Sequence, residues 1–154
     1  MNSIIQFLNH YYESAQLLSR SFEKTRKHSW NSLVILNELG IQIGQIYNIV
    51  YQNDMVNEGH RRFSNLGDEL SDVILQLIAL ADSLEINLFE IQNYQFPSEL
   101  NFMSLPILFG QLNESVMEKL GYRFSKPREG FLKIEDFIRD KIYRLFYVVF
   151  QLST

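Results

Sequence analysis

Residues 66–84 read LGDELSDVILQLIALADSL, an apolar helical run whose one wet spot is a pair of carboxylates, Glu69 and Asp72. Residues three apart share a helix face, so the two acids stand side by side. Like charges held together call for a compensating cation, and a hard divalent metal with oxygen ligands is the natural candidate. Acids in a first turn also suit the positive end of the helix dipole with no ligand present. Both readings stand at this point.

The pattern is helical almost throughout. Ile4, Ile5, Leu8, Tyr11, Tyr12, Ala15 and Leu18 recur at three and four residues and draw an apolar stripe over residues 3–20. Ser29 is a candidate N-cap for a second helix carrying Leu33, Leu36, Leu39, Ile43, Ile46 and Val50, ending near Gln52. A polar loop through Asn57, Gly59 and His60 leads to the third helix, which ends near Leu84. Asn87 is placed to cap a short turn that Pro97 halts. A fourth helix is expected over 103–120, then a basic loop over 121–132 and a last helix over 133–152. With three prolines, seven glycines and few β-branched alternations, no strand is predicted. The fold class expected is all-α.

The chain has 154 residues and 46% hydrophobic content, enough for one well-buried core, so a single domain over 1–154 is expected. Cysteine is absent, which removes disulfides and thiolate metal sites and suits a reducing compartment. The first ten residues lack the basic start and apolar core of a signal peptide. Acids and amides interrupt every apolar run, so no membrane span is expected and the location assigned is cytoplasmic. A formal net charge of −4 with scattered basic residues argues against a nucleic-acid polymer as partner.

The second half reads as a worn copy of the first. Setting Asp72 on Asp140 puts Asp68 on Asp136, Ile74 on Ile142, Leu77 on Leu145 and Leu84 on Leu152. Likewise SLVIL at Ser32 matches SLPIL at Ser104. Amphipathic helices mimic one another, so chance also explains such matches. A true repeat gives a four-helix core of two pairs, over 29–96 and 97–154, plus an N-terminal helix over 1–28.

A helix with acids at one-turn spacing, a loop, and a helix reading Glu-x-x-Asp-Val with the tail LADSLEINL resembles the MazG-like all-α nucleoside triphosphate pyrophosphohydrolases over residues 30–88. The remaining third is similar to the duplicated half of single-chain relatives of the dimeric dUTPase type. In that superfamily Glu-Glu-x-x-Glu on one helix and Glu-x-x-Asp on the next hold magnesium over a triphosphate. The resemblance implies a MazG-like bundle and a Mg-dependent hydrolase, with Mn as a substitute, that releases a nucleoside monophosphate and pyrophosphate. A homodimer is compatible with it.

Aligned on LNELGIQ, the three family glutamates become Glu38, Leu39 and Gln42. A register shifted by three residues gives Ile41, Gln42 and Gln45, with no acid at all. The first register is preferred because Glu38 and Gln42 lie one turn apart and can face Glu69 and Asp72 across an antiparallel pair. It implies Glu38, Glu69 and Asp72 as metal ligands, Gln42 as ligand or water holder, and one of the acids as general base. His60, Arg61 and Arg62 are candidates for the phosphates or an ordinary solvated turn. His28 and Trp30 would flank a base, or Trp30 would seat the N-terminal arm.

In the second half Glu114 and Glu118 keep the one-turn spacing and Asp140 survives, but Phe137 stands at the Glu69 position. Those acids form a second site or a solvated face. The missing glutamates admit a different class of function, a degenerate MazG-like protein acting in nucleotide sensing or association. A plain helical interaction module is the third, with Tyr143, Phe146, Tyr147 and Phe150 as a docking face or a core stripe.

Overall fold

The computed structural model describes residues 6, 12–18, 20–21, 30–51, 66–88, 94–124, 130 and 133–153. Among them the protein is all-helical, with no strand. Residues 12–18 and 20–21 form α1; α2 is Ser32–Tyr51, α3 Leu66–Ser83, α4 Leu105–Lys119 and α5 Ile134–Ser153. The polar loop with His60, Arg61 and Arg62, and also His28, Ser29, Lys126 and Arg128, lie outside the described residues.

Local chemistry sets the ends. Asn31 caps α2, its Oδ1 accepting from the amides of Leu33 and Val34 at 3.1 Å each. The cap therefore lies two residues beyond the Ser29 expected, because a short amide side chain serves free N–H groups as well as a hydroxyl does. The chain leaves α3 through Glu85 at φ 58°, where the Ile86 amide reaches Ala81 O at 2.8 Å and the Glu85 amide reaches Asp82 O at 3.1 Å. The end of α4 repeats this closure around Gly121 at φ 81°, with Tyr122 N to Met117 O at 2.8 Å. Both are Schellman motifs, one of which puts Glu where glycine is usual.

The helix expected from residue 103 divides in two. A 3-10 turn, Phe102–Ser104, is closed by Asn101 and Ser104 as a capping box, and α4 follows with Pro106 in its first turn. Asn87 opens no helix within 86–88; its carbonyl instead accepts from Arg139 Nε at 2.8 Å.

Packing closes a ring: α2 lies against α3, α3 against α5, α5 against α4, and α4 more sparsely against α2. The α2–α4 approach is close at Gly40, where a Cβ would stand 2.9 Å from Phe109 Cζ. One contiguous apolar cluster draws on all five helices, with Leu39, Ile46, Leu77, Leu80, Leu112, Ile138 and Leu145 fully enclosed. Each such side chain contributes about 1.5–3 kcal/mol by leaving water. From Gln76 to Ala81 every residue of α3 is buried, so that helix is the hub.

Residues 94–100 cross α5, with Phe96 stacked on Tyr147 at 4.8 Å and Tyr94 edge-on to Tyr143 at 5.0 Å. Tyr143 and Phe146 are buried, and Tyr147 and Phe150 pack against the cluster. The C-terminal aromatics are therefore a core stripe. By length and mean hydropathy (1.3), Ser32–Val50 of α2 also qualifies as a membrane-crossing segment, contrary to the expectation that no run would. Its polar residues are mostly amides, which depress hydropathy without adding charge, and Glu38 is its one acid.

Candidate functional site between α2 and α3

The register of the α2–α3 pair decides which side chains meet. Ser32 Oγ lies 2.9 Å from Ser83 Oγ, so the start of α2 meets the end of α3 and the pair runs antiparallel. Counting inward equally from that contact, Gln42 comes level with Val73 and Gln45 with Leu70. Gln42 thus sits between Glu69 and Gln76, which are respectively one turn before and one turn after Val73. Glu38 comes level with Leu77, eight residues and about 12 Å of helix rise from Glu69.

Burial follows the same pattern. Glu69 is 3% exposed, Gln42 6% and Gln76 8%, while Gln45 is half-buried. The Oε1 atoms of Gln42, Gln45 and Gln76 are buried and accept no hydrogen bond. Asp72 is exposed and lines a different space, a cleft of about 330 Å³ between α1 and α3 with Ser14, Ala15, Leu18, Ser71, Ile74 and Leu75. The acids of the Glu69–Asp72 pair share a helix face but straddle its edge, one turned inward and the other toward the cleft.

The expected triad does not assemble. Among the described residues no group of three or more His, Asp or Glu side chains lies close enough to hold a metal ion, so Glu38, Glu69 and Asp72 do not form one. The mismatch along the pair is the reason: Glu38 lies more than two turns from the level of Glu69, and Asp72 turns out of the seam. The preferred alignment has a second difficulty, since it assigns an acid to Leu39, which is fully buried in the apolar cluster. The shifted register, with Gln42 and Gln45 as its last two positions, lies nearer the level of Glu69 along the pair. The side chains described here do not fit a divalent ion, and no step is derived through one.

Trp30, 9% exposed, belongs to the apolar cluster together with Ala15 of α1. That burial is what seating the arm requires. The arm is held further by Asp82, whose Oδ1 accepts from Gln16 Nε2 at 3.1 Å and Arg20 Nη2 at 3.3 Å.

The second-half acids are engaged with the protein's own cations. Glu114 pairs with Arg123 at 3.2 Å, and Asp136 with Arg139 at 3.0 Å. Asp140, 5% exposed, accepts a short hydrogen bond from Tyr94 Oη and pairs with Lys141 at 3.0 Å and Arg144 at 2.9 Å. Burial alone would raise the Asp140 pKa, but Tyr94, Lys141 and Arg144 together hold it below the usual carboxylate value. Burial and the hydrogen bond to Asp140 raise that of Tyr94. This network ties residues 94–100 to α5, and its one carboxylate is already engaged by two cations. Glu114 and Asp140 are thus ion-pair partners within the protein.

Gln76 was not among the expected site residues, although its signal was present: one amide inside ILQLIAL, one turn beyond Asp72 and two beyond Glu69. No protein-family model, curated protein sequence or solved structure matches this chain.

Proposed function

We propose that this chain is a degenerate MazG-like protein, built of two helix-pair repeats, that engages a nucleoside triphosphate without efficient turnover and serves in nucleotide sensing or association, in the cytoplasm. The carrying observation is the seam itself: where the resemblance puts glutamates on the first helix, α2 offers the amides Gln42 and Gln45 to Glu69 across the pair. Amides supply no negative charge, so a magnesium ion bridging phosphate oxygens loses most of its anchorage. The strong α2–α3 and α4–α5 packing partnerships agree with a repeat of helix pairs.

The second reading, a Mg-dependent pyrophosphohydrolase acting on the α–β phosphoanhydride, draws on Glu69 and on the exposed Asp72 beside it. One experiment separates the two. Melting curves are recorded with a panel of nucleoside and deoxynucleoside triphosphates and 5 mM-scale magnesium or manganese (on the order of millimolar, as for ordinary Mg²⁺ sites), and pyrophosphate is assayed in the same samples. A triphosphate-dependent rise in Tm without pyrophosphate supports the degenerate reading. Metal-dependent pyrophosphate release supports the hydrolase, and no response of either kind leaves a plain helical interaction module.

A further inference from the structure

Two cations share one carboxylate oxygen on α5. Lys141 Nζ lies 3.0 Å and Arg144 Nε 2.9 Å from Asp140 Oδ2, so both positive groups converge on a single atom. Tyr94 donates to the other oxygen and stays neutral, because burial and that hydrogen bond hold its proton. The cluster of Tyr94, Asp140, Lys141 and Arg144 therefore has one positive charge more than it has negative. A turn earlier on the helix, Asp136 and Arg139 cancel each other.

Excess charge is costly where water is excluded. Lys141 is 7% exposed, and among the described residues its ammonium meets only the Asp140 carboxylate and the Phe137 ring, 4.5 Å away. Of its three N–H groups at least one is left without an acceptor. Arg144 spends Nε on Tyr94 and Asp140, while its Nη1 and Nη2 make no hydrogen bond among the described residues. With the side chain 28% exposed, that outer edge can be reached from solvent.

The cluster thus lacks a negative group with oxygen acceptors. The outer edge of a guanidinium takes a carboxylate or a phosphate through two parallel N–H···O bonds, and a buried ammonium behind it adds an attraction that salt screens little. The same excess repels a metal cation. We propose that Lys141 and Arg144 form an oxyanion site on α5, which takes the carboxylate or phosphate group of a ligand on the outer edge of Arg144. Setting Asp140 on Asp72 puts Lys141 on Val73 and Arg144 on Gln76, so α3 carries no counterpart. The site calls for neither a nucleotide nor magnesium and stands apart from the α2–α3 seam.

The test is a melting series on the whole chain in EDTA at one ionic strength, with chloride replaced by acetate or by inorganic phosphate. At about ten times the Kd, binding to the native state raises Tm by roughly 3–6 °C. The expected result is a rise of that size over chloride in acetate, phosphate or both, lost in Arg144→Gln and in Lys141→Met. A rise in acetate alone assigns a carboxylate ligand, and a rise in phosphate alone a phosphate. A rise that persists in both variants is exclusion of the salt from the protein surface and overturns the proposal. Equal melting in all three salts overturns it as well. Should a variant fail to fold, tungstate-soaked crystals give the second readout: an anomalous peak against the Arg144 guanidinium supports the site, and its absence there refutes it. With no triphosphate and no free metal present, this series can fail while the triphosphate-dependent rise in Tm stands, and the reverse.

Discussion

Asp72 and Asp140 align in the proposed repeat yet occupy opposite environments, and replacing each with asparagine measures the difference. Asp140 is 5% exposed, and its carboxylate is shared by Lys141, itself 7% exposed, and Arg144. Asparagine keeps the shape and some hydrogen bonding but removes the charge. Lys141 is then left buried with the Phe137 ring, 4.5 Å from its ammonium, as the remaining contact that offsets it. Breaking a buried pair from one side costs about 3–5 kcal/mol, and a retained hydrogen bond puts Asp140→Asn near the lower end, about 3 kcal/mol. For a chain of this size that is a Tm drop of roughly 6–12 °C. Asp72→Asn, on an exposed side chain, should stay within about 0.5 kcal/mol. Urea unfolding followed by far-UV circular dichroism at pH 7 gives both values, provided the m-value is unchanged. The pH dependence carries a second check. The folded Asp140 pKa lies below its unfolded value, so its contribution is present above the unfolded pKa and is lost as pH falls through the folded one. Wild type should therefore lose stability on the acid side, with a shallower loss in Asp140→Asn. A cost below about 1 kcal/mol for Asp140→Asn, or one equal to that of Asp72→Asn, would refute the assignment of Asp140 to a buried ion-pair network.

Three further outcomes follow from the geometry. Glu85→Gly relieves a left-handed residue at the end of α3 and should stabilise by about 0.5–1 kcal/mol in the same urea assay. Gly44→Ala meets nothing within 4 Å and should gain up to about 1 kcal/mol of helix propensity, whereas Gly40→Ala forces the Phe109 ring aside and should gain less or lose. Gln42→Glu with Gln45→Glu adds two carboxylates beside Glu69; the metal-free protein should melt lower than wild type, and millimolar magnesium should restore part of the loss. Unchanged metal-free melting would mean that the three side chains do not share the seam.

The helices were legible because each buries a face at the 3.6-residue period, and their expected ends at Leu84, Leu120 and Leu152 fall within a residue of those of α3, α4 and α5. Turn chemistry was less so. Asn31 and Ser29 are equally good caps on paper, and only the hydrogen bonds to Leu33 and Val34 choose between them. The sliding register of two helices was least legible, since Glu38 and Gln42 both satisfy one-turn spacing. The contact of Ser32 with Ser83 fixes the register, and no residue spacing within a helix encodes it. Leu39 carried a usable warning, because an alignment that puts a charge at a core position conflicts with the apolar stripe containing it. The Asp140 network was half readable: Arg144 stands one turn from Asp140, but Tyr94 arrives from 46 residues away.

Pyrophosphate release by the wild-type chain tests the central claim most directly. The account predicts that, across nucleoside and deoxynucleoside triphosphates with magnesium or manganese, release stays at the buffer rate while Gln42 and Gln45 occupy the seam. Metal-dependent release well above that rate, abolished by Asp72→Asn in a protein that still folds, would contradict it and establish a working hydrolase.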